Sequence, residues 1–267
     1  MKMRTLVGLC LFSFCVLVSA TEKSGAPSPT ENPNHRSHRG PRSVLLDIET
    51  GAEIVLWKPN LTTMPVQVKE RKVRLPSTGM DNYHALVATR RKGHLVETAI
   101  RYVYLWGKPS GHSPRELLAQ KKSDLEIVPN PLPREHYHYF SGQKWPFLVR
   151  FQGKPLRGER VHLKTANGSQ LESTTDDKGL VVFELPDDFP NVQEGRRDRR
   201  NAEFELWVSH GIGNIEYRTT LNASYKVNPK HWHSTGWGVL FACAGFFVGG
   251  LLGMATNRNN PLQRNLK

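Results

Sequence analysis

The stretch His94-Leu95-Val96-Glu97-Thr98-Ala99-Ile100-Arg101-Tyr102-Val103-Tyr104-Leu105-Trp106 decides the fold class. Val96, Thr98, Ile100, Tyr102, Tyr104 and Trp106 recur at every second residue, the period that puts strand side chains on one face. The segment is expected to be a central strand. Upstream, Val44–Ile48 and Glu53–Trp57 flank a Thr50-Gly51 turn, and Val66, Val68, Val73 and Leu75 continue the theme. Downstream, Trp145–Phe151, Arg160–Thr165, Leu180–Leu185, Glu203–Ser209 and Ile215–Val227 have strand character. Turns are marked by Gly153-Lys154-Pro155, Asn167-Gly168 and Asp176-Asp177-Lys178-Gly179. Short strands at this spacing predict a mainly β fold, an Ig-like or transthyretin-like β-sandwich. One helix interrupts it. Ser113-Pro114-Arg115-Glu116 supplies an N-cap serine, a proline at the first helical position and a capping-box glutamate, and Lys121-Lys122 suits the negative end of the helix dipole.

The ends of the chain predict where this β region resides. Lys2 and Arg4, the apolar run Leu6–Val18 and the small residues before Thr21 have the form of a cleaved secretory signal over residues 1–20. Residues 21–42, rich in Pro, Ser, Asn and His without apolar periodicity, read as a disordered tether. Two β regions are then expected, 43–123 with the short helix and 124–228 as the sandwich. From Trp237 to Ala255 the chain runs 19 residues without a charge, about the length of a transmembrane helix. The tail, residues 256–267, contains Arg258, Arg264 and Lys267 and no acid, which places it in the cytoplasm. The expectation is a single-pass protein of a bacterial inner membrane with its β region in the periplasm. Gly245, Gly249 and Gly253 would form one side-chain-free helix face for an integral-membrane partner or self-association.

Composition narrows the chemistry. All three cysteines, Cys10, Cys15 and Cys243, lie in the signal or the apolar span, so the exported part has no disulfide and no thiolate nucleophile or ligand. Of the formal +13, Lys2 and Arg4 account for two charges and the tail for three, which leaves +8 on the exported part. Its basic clusters include Arg71-Lys72, Arg90-Arg91-Lys92, Lys121-Lys122 and Arg196-Arg197-Asp198-Arg199-Arg200. Outside the cytoplasm these suit the lipid bilayer or an acidic partner rather than nucleic acid. Gly-x-Ser-x-Gly, HExxH and a phosphate-cradling glycine loop are all missing from the sequence, so a non-enzymatic role is expected. Asp176-Asp177 and Asp187-Asp188 read as turn residues. The residues suited to a site are histidines. His136 and His138 share a face if extended, and a transition-metal site needs further donors, for which His162 and His210 are candidates. His231-Trp232-His233 repeats the spacing beside the apolar span.

Leu125-Glu126-Ile127-Val128-Pro129-Asn130-Pro131, Gly153-Lys154-Pro155-Leu156-Arg157-Gly158-Glu159-Arg160-Val161 and Thr175-Asp176-Asp177-Lys178-Gly179-Leu180-Val181-Val182-Phe183-Glu184-Leu185-Pro186 together resemble a bacterial periplasmic domain family. Its better-understood members are accessory proteins of nickel and cobalt uptake. The resemblance covers roughly Leu95 to Val227 and implies a periplasmic accessory role but leaves metal binding open; together with the histidines it makes handling of a nickel, cobalt, copper or zinc ion for a membrane partner the expected function. It does not carry over the family's N-terminal histidine, since the mature chain would begin Thr21-Glu22-Lys23. The alternative is an interaction or assembly subunit of a membrane complex that takes no metal.

Overall fold

In the computed structural model, residues 43–45, 51–66, 68–69, 72–134, 138–233 and 235–258 are described. The expected signal, the tether, His136 and the end of the tail lie outside them. The strands are β1 (Ser43–Leu45), β2 (Glu53–Trp57), β3 (Thr63–Pro65), β4 (Val68–Lys69), β5 (Lys72–Arg74), β6 (Met80–Lys92), β7 (Leu95–Leu105), β8 (Lys108–Pro109), β9 (Leu125–Pro129), β10 (Tyr139–Phe140), β11 (Lys144–Phe151), β12 (Lys154–Pro155), β13 (Arg160–Thr165), β14 (Gln170–Thr174), β15 (Leu180–Glu184), β16 (Asn201–Ile212) and β17 (Ile215–Lys226). The helices are α1 (Pro114–Ala119) and α2 (Thr235–Arg258), with a 3-10 turn at Pro229–Trp232.

The main sheet is ordered β14-β13-β16-β17-β7-β6-β2-β3, which puts β7 near its middle as its alternation predicts. β17 joins β7 in parallel, pairing Glu216 with Leu95 and Leu221 with Ile100. The boundary expected near residue 123 is therefore not a break in the sheet, because strands from both expected regions hydrogen-bond side by side. A four-stranded sheet of β9, β11, β12 and β15 contributes Leu125, Ile127, Phe147, Val149, Val181 and Phe183 to one core with Ile100, Phe204, Leu206, Val208, Leu221 and Tyr225 of the main sheet. This is the sandwich. Phe204 lies edge-on to Tyr139 at 5.3 Å and is 1 % exposed, so truncation to alanine is worth about 3–5 kcal/mol.

At its centre β7 is buried on more than the alternating face. A second core holds Ile54, Leu56, Leu86, Ala88, Ala99 and Val103 with Val73 and Leu75, and Val73 belongs to the small sheet β1-β5-β4. Ala85-Leu86-Val87-Ala88 is buried without interruption, and β7 buries Thr98, Ala99 and Ile100 in succession. Small and branched side chains on both faces let the middle of the sheet be covered twice. Trp106, at the end of the alternating series, is 49 % exposed.

The capping box of α1 forms as expected. The Ser113 hydroxyl accepts from the Arg115 amide at 3.3 Å, and Glu116 accepts from the Ser113 amide at 3.0 Å. The Lys122 ammonium donates to the carbonyls of Leu117 (2.6 Å) and Gln120 (2.9 Å), satisfying the helix's other end. Below it, the fully buried Glu126 carboxylate accepts from Arg150 Nε at 2.5 Å and from the Lys122 amide at 2.7 Å, while Arg150 also donates to Ala119 O at 3.2 Å. Burial pushes the Lys122 ammonium down to about 8, against the pull of Glu126 and with the help of Arg150.

Helix α2 spans 24 residues, about 36 Å at helical rise. Its large apolar side chains stand in the open, with Phe246 85 % and Phe247 75 % exposed. Among the described residues no helix is long and apolar enough to cross a membrane; the side chains at positions 235, 237, 253 and 255–258 of α2 fall outside that description.

Candidate functional site

Two hollows are lined by residues with chemistry to offer. The larger, about 540 Å3, lies where the start of β6 meets the 110–115 loop and Leu132-Pro133-Arg134. Its backbone is held under strain. Asn82 has φ of 146°, a region L-residues rarely occupy, and is fixed by its own side chain, which accepts from the Tyr83 amide at 2.7 Å and donates to His112 O at 2.7 Å. Beside it, Asp81 Oδ1 is buried with no hydrogen-bond partner, and Tyr83 donates to Pro133 O at 2.6 Å. Burial pushes the Tyr83 phenol up to about 12, so it stays a donor at neutral pH. Tyr83 and Tyr104 meet edge to face at 5.3 Å, giving the hollow an aromatic wall. Beneath, fully buried His84 has Nδ1 3.0 Å from Asn82 O and Nε2 2.7 Å from Thr78 Oγ1. A carbonyl only accepts, so Nδ1 carries the proton and Nε2 accepts from the threonine. Burial lowers its pKa, partly offset by the Asn82 carbonyl, and the ring is neutral.

The second hollow, about 310 Å3, is lined by Asn191, Gln193, Arg196, Arg197, Asp198, Arg199 and Arg200. It lies against the segment leading into α2. The Gly195 amide donates to His231 O at 2.9 Å, Trp232 Nε1 donates to Asp198 O at 3.2 Å, and the Arg197 guanidinium stands 4.8 Å from the Trp232 ring. The same segment is tied to the sandwich by Asn228, whose amide donates to Ser141 Oγ (3.1 Å) and whose Nδ2 donates to Ser141 O (2.6 Å). Asp187 completes the joint, accepting from Ser141 Oγ at 2.7 Å and meeting His231 Nε2 at 2.8 Å. Burial raises its pKa, but the Ser141 and His231 hydrogen bonds and the nearby charges of His231 and Lys230 outweigh that and hold it below the usual carboxylate range. Asp188 accepts from Thr165 at 2.6 Å, from Asn167 at 3.1 Å and from the Tyr225 hydroxyl. The pair expected as turn residues thus ties the strand end to the pre-helix segment and to β13 and β17. Nothing local in the sequence signals this, since the partners lie 21 to 46 positions away.

Of the histidines expected from sequence, His136 lies outside the described residues, and the other three do not converge. His138 is exposed and packs edge-on to Phe140 at 6.3 Å. His162 stacks on Trp207 at 3.8 Å and lies 3.3 Å from Glu172, on the outer face of β13, between buried Val161 and Leu163. His210 falls in phase with the inward Leu206 and Val208 of β16, meeting Glu159 at 2.9 Å and the Phe151 ring at 5.0 Å. His162 and His210 therefore sit on opposite faces of one sheet and cannot share an ion. Among the described residues no group of three or more His, Cys, Asp or Glu side chains is placed to hold a metal. Gly245 and Gly249 lie on α2 with open space where a side chain would be, and the side-chain position of Gly253 is outside the described residues.

No family model and no curated protein matches the chain. Solved structures similar to it include a calcium-stabilized adhesin with which an Antarctic bacterium binds ice, at 13 % identity and TM-score 0.26, covering 68 % of this chain and 41 % of that one. The D0-D1 domain of intimin matches at 13 % identity and TM-score 0.25, covering 67 % and 87 %. The chain thus spans less than half the length of the adhesin it matches. At these scores the comparisons carry no functional argument.

Proposed function

We propose that the chain is a membrane-anchored, non-enzymatic interaction subunit: a β-body held by α2 on the periplasmic face of a bacterial inner membrane, docking onto an integral-membrane partner or a second copy. The observation that carries this reading is the joint between body and helix. Asn228, Ser141, Asp187 and His231 hold the pre-helix segment by direct hydrogen bonds, and four residues after His231 a helix begins whose described large apolar side chains are exposed. A contiguous apolar surface of that kind is stable in water only when covered, and a run of 19 uncharged residues in a 24-residue helix matches hydrocarbon thickness. A structured joint orients the body on the membrane, which suits an assembly role better than a free tether would.

Delivery of a transition metal has less support, because His138 packs on a ring while His162 and His210 meet separate carboxylates on opposite faces of the main sheet. Carbonate extraction of membranes tests the anchor. The full chain stays in the pellet, and a chain ending at His233 is released; release of the full chain by carbonate contradicts the proposal.

A further inference from the structure

We propose that the arginine loop between Asn191 and Arg200 is a headgroup site that takes an anionic phospholipid from the membrane into which α2 inserts. The inference rests on the anchor reading and adds a ligand class and the residues that hold it.

Position is the first argument. The loop is bonded to the pre-helix segment through Gly195 to His231 and Trp232 to Asp198. Only His233 and Ser234 separate Trp232 from the start of α2, so even extended chain puts at most about 10 Å between the Trp232 backbone and the helix. On the anchor reading this brings the arginine loop close to the level of the lipid phosphates.

Charge is the second. The acid lining the hollow, Asp198, is occupied by Arg200, whose Nε and Nη2 reach its two oxygens at 2.9–3.1 Å and 2.6 Å. The side-chain and backbone hydrogen bonds from Arg200, ahead of the Coulomb attraction of Arg200 and Arg196, lower the Asp198 pKa below its usual value. Arg196, Arg197 and Arg199 have no carboxylate partner among the described residues. The field extends to the end of β17, where burial and then the charge of Arg199 lower the Lys226 pKa.

Shape is the third. A cavity of about 310 Å3 with Asn191 and Gln193 on its wall has room for a phosphate and part of its glycerol, and planar guanidinium groups bind phosphate by paired hydrogen bonds. Trp232 beside Arg197 supplies the amphipathic ring that favours the membrane–water boundary.

The test uses the full chain reconstituted in phosphatidylcholine vesicles carrying a trace of acyl-chain-labelled phosphatidylglycerol or, separately, labelled phosphatidylcholine, with energy transfer from tryptophan reporting the lipid at the protein. Local enrichment of phosphatidylglycerol over phosphatidylcholine is expected at about fivefold or more in low salt, declining with added sodium chloride. The variant Arg196→Gln, Arg197→Gln, Arg199→Gln brings the ratio to about one. The variant Arg91→Gln, Lys92→Gln, Lys154→Gln removes the same charge and keeps the preference, since Arg91 and Lys92 lie at the opposite end of the main sheet from Lys226. Millimolar inorganic phosphate at constant ionic strength leaves the enrichment in place. Loss of enrichment to phosphate assigns the site to free phosphate and overturns the proposal, as does equal transfer to both lipids by a wild-type chain that floats with the vesicles. A wild-type chain that does not float overturns the anchor reading itself, which separates the two failures.

Discussion

Replacing Arg150 with methionine tests how α1 is held to the sandwich. The side chain is 8 % exposed, its counter-ion Glu126 is fully buried, and its other guanidinium nitrogens donate to the Ala119 and Gln120 carbonyls at the end of α1. Methionine fills similar space but leaves a buried carboxylate without its cation and takes from the Ala119 carbonyl its guanidinium donor, while Gln120 O keeps only the Lys122 ammonium. Breaking a buried ion pair from one side costs about 3–5 kcal/mol. Glu126→Gln keeps an oxygen for the Lys122 and Ser123 amides and removes only the charge. A cycle of the two singles and the double should therefore show a coupling of about 2 kcal/mol, with the double more stable than the sum of the singles. For a body of this size 1 kcal/mol moves Tm by about 2–4 °C, so Arg150→Met should lower it by about 6–20 °C. Near-UV circular dichroism of the full chain in detergent measures this. A Tm change under about 2 °C for Arg150→Met, or additivity within ~0.3 kcal/mol, would mean the pair does not hold the helix and the reasoning fails.

Other outcomes follow from the same structure. The folded pKa of Lys122 lies below its unfolded value, so between about pH 8 and 10 the unfolded state binds more protons and stability rises with pH; Lys122→Met should flatten that rise in urea titrations. A Cβ at Gly107 would stand 2.4 Å from Gly79 C and O, so Gly107→Ala forces backbone apart and should cost about 1–3 kcal/mol, whereas the open φ +59° turn at Gly93 should lose only about 1 kcal/mol on substitution. Asp187 and Asp188 are held below their ordinary range, so the stability they contribute is complete above about pH 4 and lost as pH falls through their folded values; Asp187→Asn should weaken that acid dependence and raise hydrogen exchange at Asn228 and His231. On α2, Gly249→Ile should reduce crosslinked dimer or partner complex while Leu251→Ile does not, and equal yields would leave the glycine face without a role.

The sandwich strands β13, β16 and β17 were legible because each has one buried and one open face, and two-residue alternation is the trace of that asymmetry. The centre of the main sheet was less so. Ala85-Leu86-Val87-Ala88 has no alternation to read, and only the structure shows two layers of cover. The parallel pairing of β17 with β7 joins residues more than a hundred positions apart, which no local pattern reports. Helix α1 was legible to its cap, since the capping box is a contact between residues three apart. The placement of the histidines was illegible for a related reason. Spacing along one strand cannot say which face of a sheet a third ligand will occupy, and His162 and His210 fall on opposite ones. Asp81 carries no sequence signal, since burial of one oxygen without a hydrogen-bond partner is not a local pattern.

Protease protection in sealed vesicles tests the central claim most directly. Full-length protein tagged after Lys267 is inserted into vesicles oriented with the periplasmic face outward, and protease is added outside. The account predicts cleavage within the segment before the β-body, with the tag and α2 protected until detergent is added. Loss of the tag in intact vesicles, or release of the intact chain into the supernatant, would contradict it.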